Sequence, residues 1–224
     1  MSDLVLSPLY VSIKTVIVST VITFFLGIAA ARWMANYGGR FKGVIDGFFL
    51  LPLVLPPTVV GFGLLMLFGK NGPLGIILRQ LFGTTVIFSW PAAVIAAVVV
   101  SFPLMYMTAR GGFEQVDINI ENAARTMGAG EWRIFWTVTL PLSWPSLMAA
   151  TVLALARALG EFGATLMLAG NIPGRTTTIP VAIYFKIQAG HMEEALVLTM
   201  VVLGFAFISL FFLARWKKIS NSRS

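Results

Sequence analysis

Glu121-Asn-Ala-Ala-Arg-Thr-Met-Gly128-Ala-Gly130, followed by Leu140-Pro141, is a polar, patterned island in a chain that otherwise alternates long apolar blocks. On either side of it lie stretches that reach or approach the roughly 20 residues needed to cross a hydrocarbon core at about 1.5 Å of rise per residue. The expected spans are Val11 to Ala31, Val44 to Phe68, Trp90 to Ala109, Ser146 to Leu168 and Glu194 to Leu213. The chain is 58% hydrophobic and 11% charged, with a mean hydropathy of +0.88. That composition excludes an ordinary soluble domain. The reading is an all-α membrane protein of about five transmembrane helices. A single transmembrane domain covers 1–224, and its polar loop, 110–141, stands in the cytoplasm.

Orientation follows from where the cations fall. With the amino terminus outside, Arg32, Arg40, Lys42, Arg110, Arg125, Arg133, Arg215, Lys217, Lys218 and Arg223 lie at the inner face. Only Lys14, Lys70, Arg79, Arg175 and Lys186 lie opposite. This is the positive-inside asymmetry, and it puts the carboxyl terminus in the cytoplasm, where Arg215-Trp-Lys-Lys can meet anionic lipid headgroups. The net charge of +7 is thus an orientation signal, and no motif suggests a nucleic-acid partner. Basic residues follow the first apolar block instead of preceding it, as in an uncleaved helix and unlike a secretory signal. The chain has no cysteine, which removes disulfides and thiolate metal sites.

Along the chain, Tyr10 to Ala35 reads as a plain packing or anchor helix. The next span carries Pro52, Pro56 and Pro57, each lacking a backbone donor and clashing with the preceding turn, so it is expected to be kinked or broken. Broken backbone at membrane depth is tolerated where it is buried in protein or faces an aqueous cavity. Pro52, Pro56, Pro57 and Thr58 are therefore either translocation-pathway residues or a static kink. Leu74 to Phe82 reads as a short interfacial helix. Ser101, just before Pro103, is a further pathway candidate, with an ordinary intrahelical hydroxyl bond as its alternative use.

Within the island, apolar Val116, Ile118, Ile120, Ala123, Ala124 and Met127 recur among polar residues, predicting a short amphipathic helix that begins near Asp117. Gly128 and Gly130 stop or turn it, and a second short helix is expected from Glu131 to Thr137. Ala123 and Ala124 leave little bulk, so the helix suits a groove in a partner. Glu121 and Arg125, one turn apart, support the helix or bind that groove. An amphipathic helix lying on the membrane surface is the other reading. In the fourth span, Arg157 and Glu161 are four residues apart and positioned to pair, either as a structural clamp or as part of a gate. Gly160 and Gly163 beside them permit close packing or a local hinge.

Glu121-Asn-Ala-Ala-Arg-Thr-Met-Gly128, with Leu140-Pro141 at its distance, resembles the EAA signature of bacterial ABC-importer permeases. It departs from the usual pattern at Asn122 and Met127. The resemblance implies a type I ABC-importer transmembrane domain whose loop is the coupling helix seated on a cytoplasmic ATPase. Glu121, Ala123, Ala124, Arg125, Gly128, Leu140 and Pro141 would then be the coupling residues. Gly69-Lys70-Asn71 lacks the glycine array of a phosphate-binding loop, so the chain is expected to be no enzyme and to hold no cofactor. ATP and Mg belong to the partner subunits.

Leu51-Pro-Leu-Val-Leu-Pro-Pro-Thr-Val-Val-Gly61, Ala156-Arg-Ala-Leu-Gly-Glu-Phe-Gly-Ala164 and Gly170-Asn-Ile-Pro-Gly-Arg-Thr-Thr-Thr-Ile-Pro180 resemble the permeases of bacterial molybdate importers. This binding-protein-dependent class sits in the bacterial inner membrane. The resemblance implies a second permease copy, two ATPase subunits, a periplasmic molybdate-binding protein and alternating access for molybdate. Sulfate and tungstate permeases share much of the pattern and remain alternatives, as does a nontransporting scaffold that recruits a cytoplasmic partner. Arg175 and Lys186, both expected outside, are placed either to favour an oxyanion's approach or, as is more common for surface charges, to make membrane or protein contacts. His191 stands alone and has no metal partners in the sequence.

Overall fold

The computed structural model describes the backbone of residues 2–221 and the side chains of residues 6–208 and 211. Among the described residues every regular element is a helix. The first, α1, spans Ser2–Asn36. Ile13, Ile17, Val21 and Phe25 on it are exposed, whereas Ser12, Thr15, Ser19 and Thr23 are buried. A helix in water has the opposite arrangement. Here the outer solvent is hydrocarbon, so apolar side chains face out and small hydroxyl residues let neighbouring helices come close. The hydroxyls bond back along their own helix, Thr15 Oγ1 to the Val11 carbonyl at 2.7 Å and Ser19 Oγ to that of Val16 at 3.1 Å. The partner is α5, Trp90–Glu114. The plain anchor helix expected here is therefore a principal wall of the bundle.

α2, Lys42–Val54, and α3, Pro57–Phe68, form the interrupted span, bent by 114° between them. Pro52 sits within α2, so the break belongs to Pro56 and Pro57, with Pro57 supplying the first residue of α3. The short helix α4 covers Pro73–Phe82. α5 continues past its expected end at Ala109 to Glu114 with Pro103 inside it. α6, Ile118–Thr126, and α7, Glu131–Ile134, make the loop.

Two expectations are corrected beyond this point. The separate helix from Glu131 to Thr137 does not exist: α7 runs through a π turn, Phe135–Thr139, into α8, Leu140–Leu159. Glu131–Leu159 is one helix of 29 residues. Pro141 has no N–H and its ring crowds the carbonyl four residues back; a widened turn just before it accommodates both defects. The span expected from Ser146 to Leu168 is also broken, because α8 ends at Leu159 and α9 begins anew at Gly163–Ala169. α10, Ile179–Gln188, and α11, Met192–Asn221, complete the chain.

Three helices among the described residues are long and apolar enough to cross a membrane, and four spans result if the bent α2–α3 pair is one. The expected fifth, Glu194 to Leu213, falls on α11, where the last side chains lie outside the described residues. The basic cluster of Arg215, Lys217, Lys218 and Arg223 lies outside them as well.

No residue of α2 is buried, so a few contacts hold it to the bundle. Tyr106 Oη and Arg110 Nη1, both from α5, donate to Asp46 Oδ1, and Arg110 Nε reaches Glu114 Oε1 at 2.8 Å. The Phe49 ring meets Phe102 and Tyr106 edge-on with centroids 5.4 and 5.0 Å away. Asp46→Asn and Arg110→Gln are each expected to lower stability in detergent by about 1–3 kcal/mol. The double variant should lose less than the sum, and additive losses in thermal-melting midpoints would count against the pair.

Candidate functional site: a coupling knob and two facing helix breaks

The loop is built around one buried carboxylate. α6 starts where Asp117 Oδ1 accepts the Asn119 backbone N–H at 2.9 Å, an N-cap at the expected position. One turn on, Glu121 is buried, and its Oε1 accepts the Thr139 hydroxyl at 2.7 Å from the π turn. Its Oε2 lies 3.3 Å from Arg125 Nη2. Arg125 also donates to Glu131 Oε1 at 2.6 Å, to Glu131 Oε2 at 3.1 Å and to Asn122 Oδ1 at 2.7 Å. The Glu131 hydrogen bonds, more than those to Glu121, raise the Arg125 pKa above its ordinary value. Thus α6, α7 and the start of α8 are tied into one knob.

Gly128 turns the chain between α6 and α7 at φ +82°. A β-carbon there would meet nothing within 4 Å, so backbone conformation alone calls for glycine. Ala124 is buried, while Ala123 faces out. The outer surface of the knob carries Ile118, Ile120, Met127 and Trp132, all exposed. Leu140 packs against the cluster that includes Met105 and Leu147. Pro141 is exposed at the entry of α8.

At the far end of the Glu131–Leu159 helix the chain breaks, and this break faces the one between α2 and α3. Gly61 of α3 lies so near α9 that a β-carbon on it would stand 2.7 Å from the Ala164 Cα. A β-carbon on Gly163 would fall 3.1 Å from Pro57 Cβ and 3.2 Å from the Thr58 nitrogen. Glycine at both positions is what allows the two interrupted segments to seat against each other. Pro56, Pro57 and Thr58 are exposed on the outer side of this seat, and Pro52 is half-buried a turn before it.

Glu161 lies in the gap between α8 and α9 and is buried. One carboxylate oxygen accepts the Ala164 N–H at 2.7 Å, and the other accepts from Arg157 Nη1 at 2.9 Å. Gly160 caps α8 with its N–H bonded back to Ala156. The expected pair exists, though its partners do not share a continuous helix: Arg157 lies in the last turn of α8 and Glu161 in the gap before α9. Ser101 is away from this seat, buried and bonded to the Ala97 carbonyl at 2.7 Å and to Thr23 Oγ1 at 3.2 Å.

Sequence reasoning did not find Thr139, Glu131 or Asp46 as members of these networks. Their partners are 18, 6 and 60 or more residues away, and no periodicity links such positions. Arg175 is exposed, whereas Lys186 forms an ion pair with Glu194. Of its two expected uses, Lys186 thus makes the protein contact. His191 is exposed, and no group of three or more His, Asp or Glu that could hold a metal occurs among the described residues.

The family model described as binding-protein-dependent transport system inner membrane component matches residues 23–217. The chain belongs to this family. It is thus a multi-pass inner-membrane transport component. It is 49% identical over 184 residues to the molybdenum transport system permease protein ModB of Escherichia coli K12, covering 82% of this chain and 80% of that one. It is 44% identical over 211 residues to the putative molybdenum transport system permease protein YvgM of Bacillus subtilis, covering 94% and 93%. A probable sulfate transport system permease of Chlorokybus atmophyticus is 31% identical over 206 residues, covering 92% and 72%. A bacterial ABC transporter that imports alginate has the same fold, with TM-score 0.77 and 15% identity over 99% of this chain and 80% of that one. The MetNI methionine ABC transporter in inward-facing form matches with TM-score 0.71 and 16% identity over 99% and 96%. The architecture is the type I ABC-importer transmembrane domain.

The geometry separates two roles of Glu161. Glu161→Gln keeps an oxygen for the Ala164 N–H and loses the charge, whereas Glu161→Ala loses both. Stability is expected to fall further in the alanine variant, by about 1 kcal/mol, the worth of a helix cap. A double-mutant cycle of Arg157→Gln with Glu161→Gln should return a coupling of about 0.5–3 kcal/mol. Equal melting midpoints for the alanine and glutamine variants would refute the cap.

Proposed function

We propose that this chain is the permease subunit of an ATP-driven molybdate importer, moving the oxyanion inward by alternating access. What carries the reading is the identity of 44–49% to molybdenum permeases of two bacteria, against 31% to a sulfate permease. Two copies of the chain, two cytoplasmic ATPase subunits and a periplasmic molybdate-binding protein make up the working complex. The amino terminus and Arg175 lie on the periplasmic side, and the knob of α6 and α7 lies in the cytoplasm, as the distribution of cations supports. ATP and Mg are bound and used by the ATPase subunits. The exposed apolar residues of α2 and α3, among them Val44, Phe48, Val54 and Phe62, suit the second copy across a central pathway.

The mechanism is leverage. Exposed Ile118, Ile120, Ala123 and Met127 seat the knob in the ATPase, and the Glu121, Arg125 and Glu131 contacts make it move as one piece. No break intervenes between Glu131 and Leu159, so displacement at the knob travels a helix of roughly 43 Å to the seat of the two breaks. There Arg157 and Glu161 hold α9 to the end of α8. The opposing half-span, α3, rests on α9 at Gly61 and Gly163. Shifting this seat re-orients Pro56, Pro57 and Thr58, which line the gate. Arg157 is neutralised by Glu161, so it positions the gate without trapping the anion.

Because only backbone conformation restricts position 128, Gly128→Asn is expected to preserve most cargo-stimulated ATPase activity. Gly128→Val, strained by about 1–2 kcal/mol in a left-handed turn, is expected to lose coupling while the protein still inserts. Equal activity in the two variants would remove the turn from the mechanism. For the cargo, proteoliposomes holding the permease, its cognate ATPase and its capture protein should accumulate labelled molybdate under ATP and far less sulfate at matched concentration. Sulfate uptake without molybdate uptake would overturn the cargo and leave the importer standing. ATPase association without uptake of any oxyanion would indicate a scaffold.

A further inference from the structure

A groove runs between the second half of α1 and the start of the Glu131–Leu159 helix. It has a volume of about 840 Å³. Phe24, Ile28 and Arg32 line it from α1, and Trp136 and Trp144 from the facing helix, whose first residue, Glu131, also lines it. Both walls belong to helices long and apolar enough to span a membrane. From Phe24 to Arg32 the groove follows α1 for roughly 12 Å. It therefore runs from hydrocarbon depth into the aromatic and basic layer of the interface.

The two charges in its lining are not equivalent. Glu131 is occupied by both of its hydrogen bonds from Arg125. The Arg32 guanidinium lies over the Phe135 ring, 5.3 Å from its centroid, and joins no ion pair among the described residues. Arg32 acts on the Glu131 carboxylate through its field alone, because Arg125 supplies that carboxylate's hydrogen bonds, so the guanidinium N–H groups are left to suit the phosphate of an anionic amphiphile.

We propose that this groove is a phospholipid site, in which the headgroup phosphate binds Arg32 and one acyl chain lies between α1 and the first turns of α8. A peptide segment at that depth would bring backbone N–H and C=O groups with few partners, whereas an acyl chain brings none. The basic carboxyl-terminal segment of this chain would be repelled by Arg32. The site is independent of which oxyanion is carried.

Trp33, Trp132, Trp136 and Trp144 line the groove and are four of the chain's six tryptophans. Bromines on an acyl chain quench tryptophan on contact, so bound lipid reports on itself. The assembled importer, in vesicles, is titrated with phosphatidylglycerol or diacylglycerol, each carrying dibrominated acyl chains. Quenching by the phospholipid is expected to contain a saturating component with half-saturation about tenfold lower than for diacylglycerol. Arg32→Gln should abolish that difference and Arg32→Lys should retain it. Equal titrations with the two lipids, or an Arg32→Gln protein that still discriminates, would overturn the proposal. So would a saturating component seen in the permease alone and absent from the assembled importer, which would assign the groove to a subunit contact.

Discussion

The buried carboxylate of Glu161 is the constraint from which the rest of the pathway geometry follows. A charge at this depth is costly unless compensated, and Glu161 is compensated twice, by Arg157 before it and by the Ala164 N–H after it. These bonds fix how far α8 runs and where α9 starts. The position of α9 then sets where Gly163 and Ala164 receive Pro57 and Gly61. Moving the carboxylate would move both half-spans. An ion pair holding a helix break needs no large net stabilisation of its own, because its effect is to select one arrangement of two short helices.

The same logic recurs at the knob. Glu121 is buried and bonded to Thr139 and Arg125, so its carboxylate serves cohesion within the loop, whose outer surface carries exposed Ile118, Ile120, Ala123 and Met127. Each end of the long helix thus has a buried glutamate that fastens a short helix to it. The stretch between them, Leu140 to Leu159, contains Pro145 yet no interruption. Continuity of the long helix and fastening at its ends rest on different residues.

The parts legible from sequence were those written in neighbouring residues. The first and third spans, the break at Pro56 and Pro57, the cap at Asp117 and the turn at Gly128 each follow from hydropathy or backbone chemistry within a few positions. The π turn escaped because Pro141 looks, in sequence, like a helix start, and only the continuous backbone reveals that the preceding turn widened. The end of α8 escaped because Arg157 and Glu161 have the spacing of a helical pair and form their pair across a break. Thr139 and Asp46 carry no local signal at all. They matter through partners that only the packing of distant segments brings near.

The hydroxyl stripe of α1 has a consequence for how the protein is made. Thr15, Ser19 and Ser101 each donate to a carbonyl of their own helix, so α1 and α5 can enter the bilayer separately with these polar groups satisfied. Two contacts between them, Thr23 to Ser101 and the Trp90 Nε1–H to Thr15 Oγ1, are added at association, each contributing on the order of 0.6 kcal/mol. Insertion and assembly are therefore energetically separable for this pair. A helix delivered early by the translocation machinery can wait in lipid for its neighbour without exposing an unbonded hydroxyl proton from those three residues.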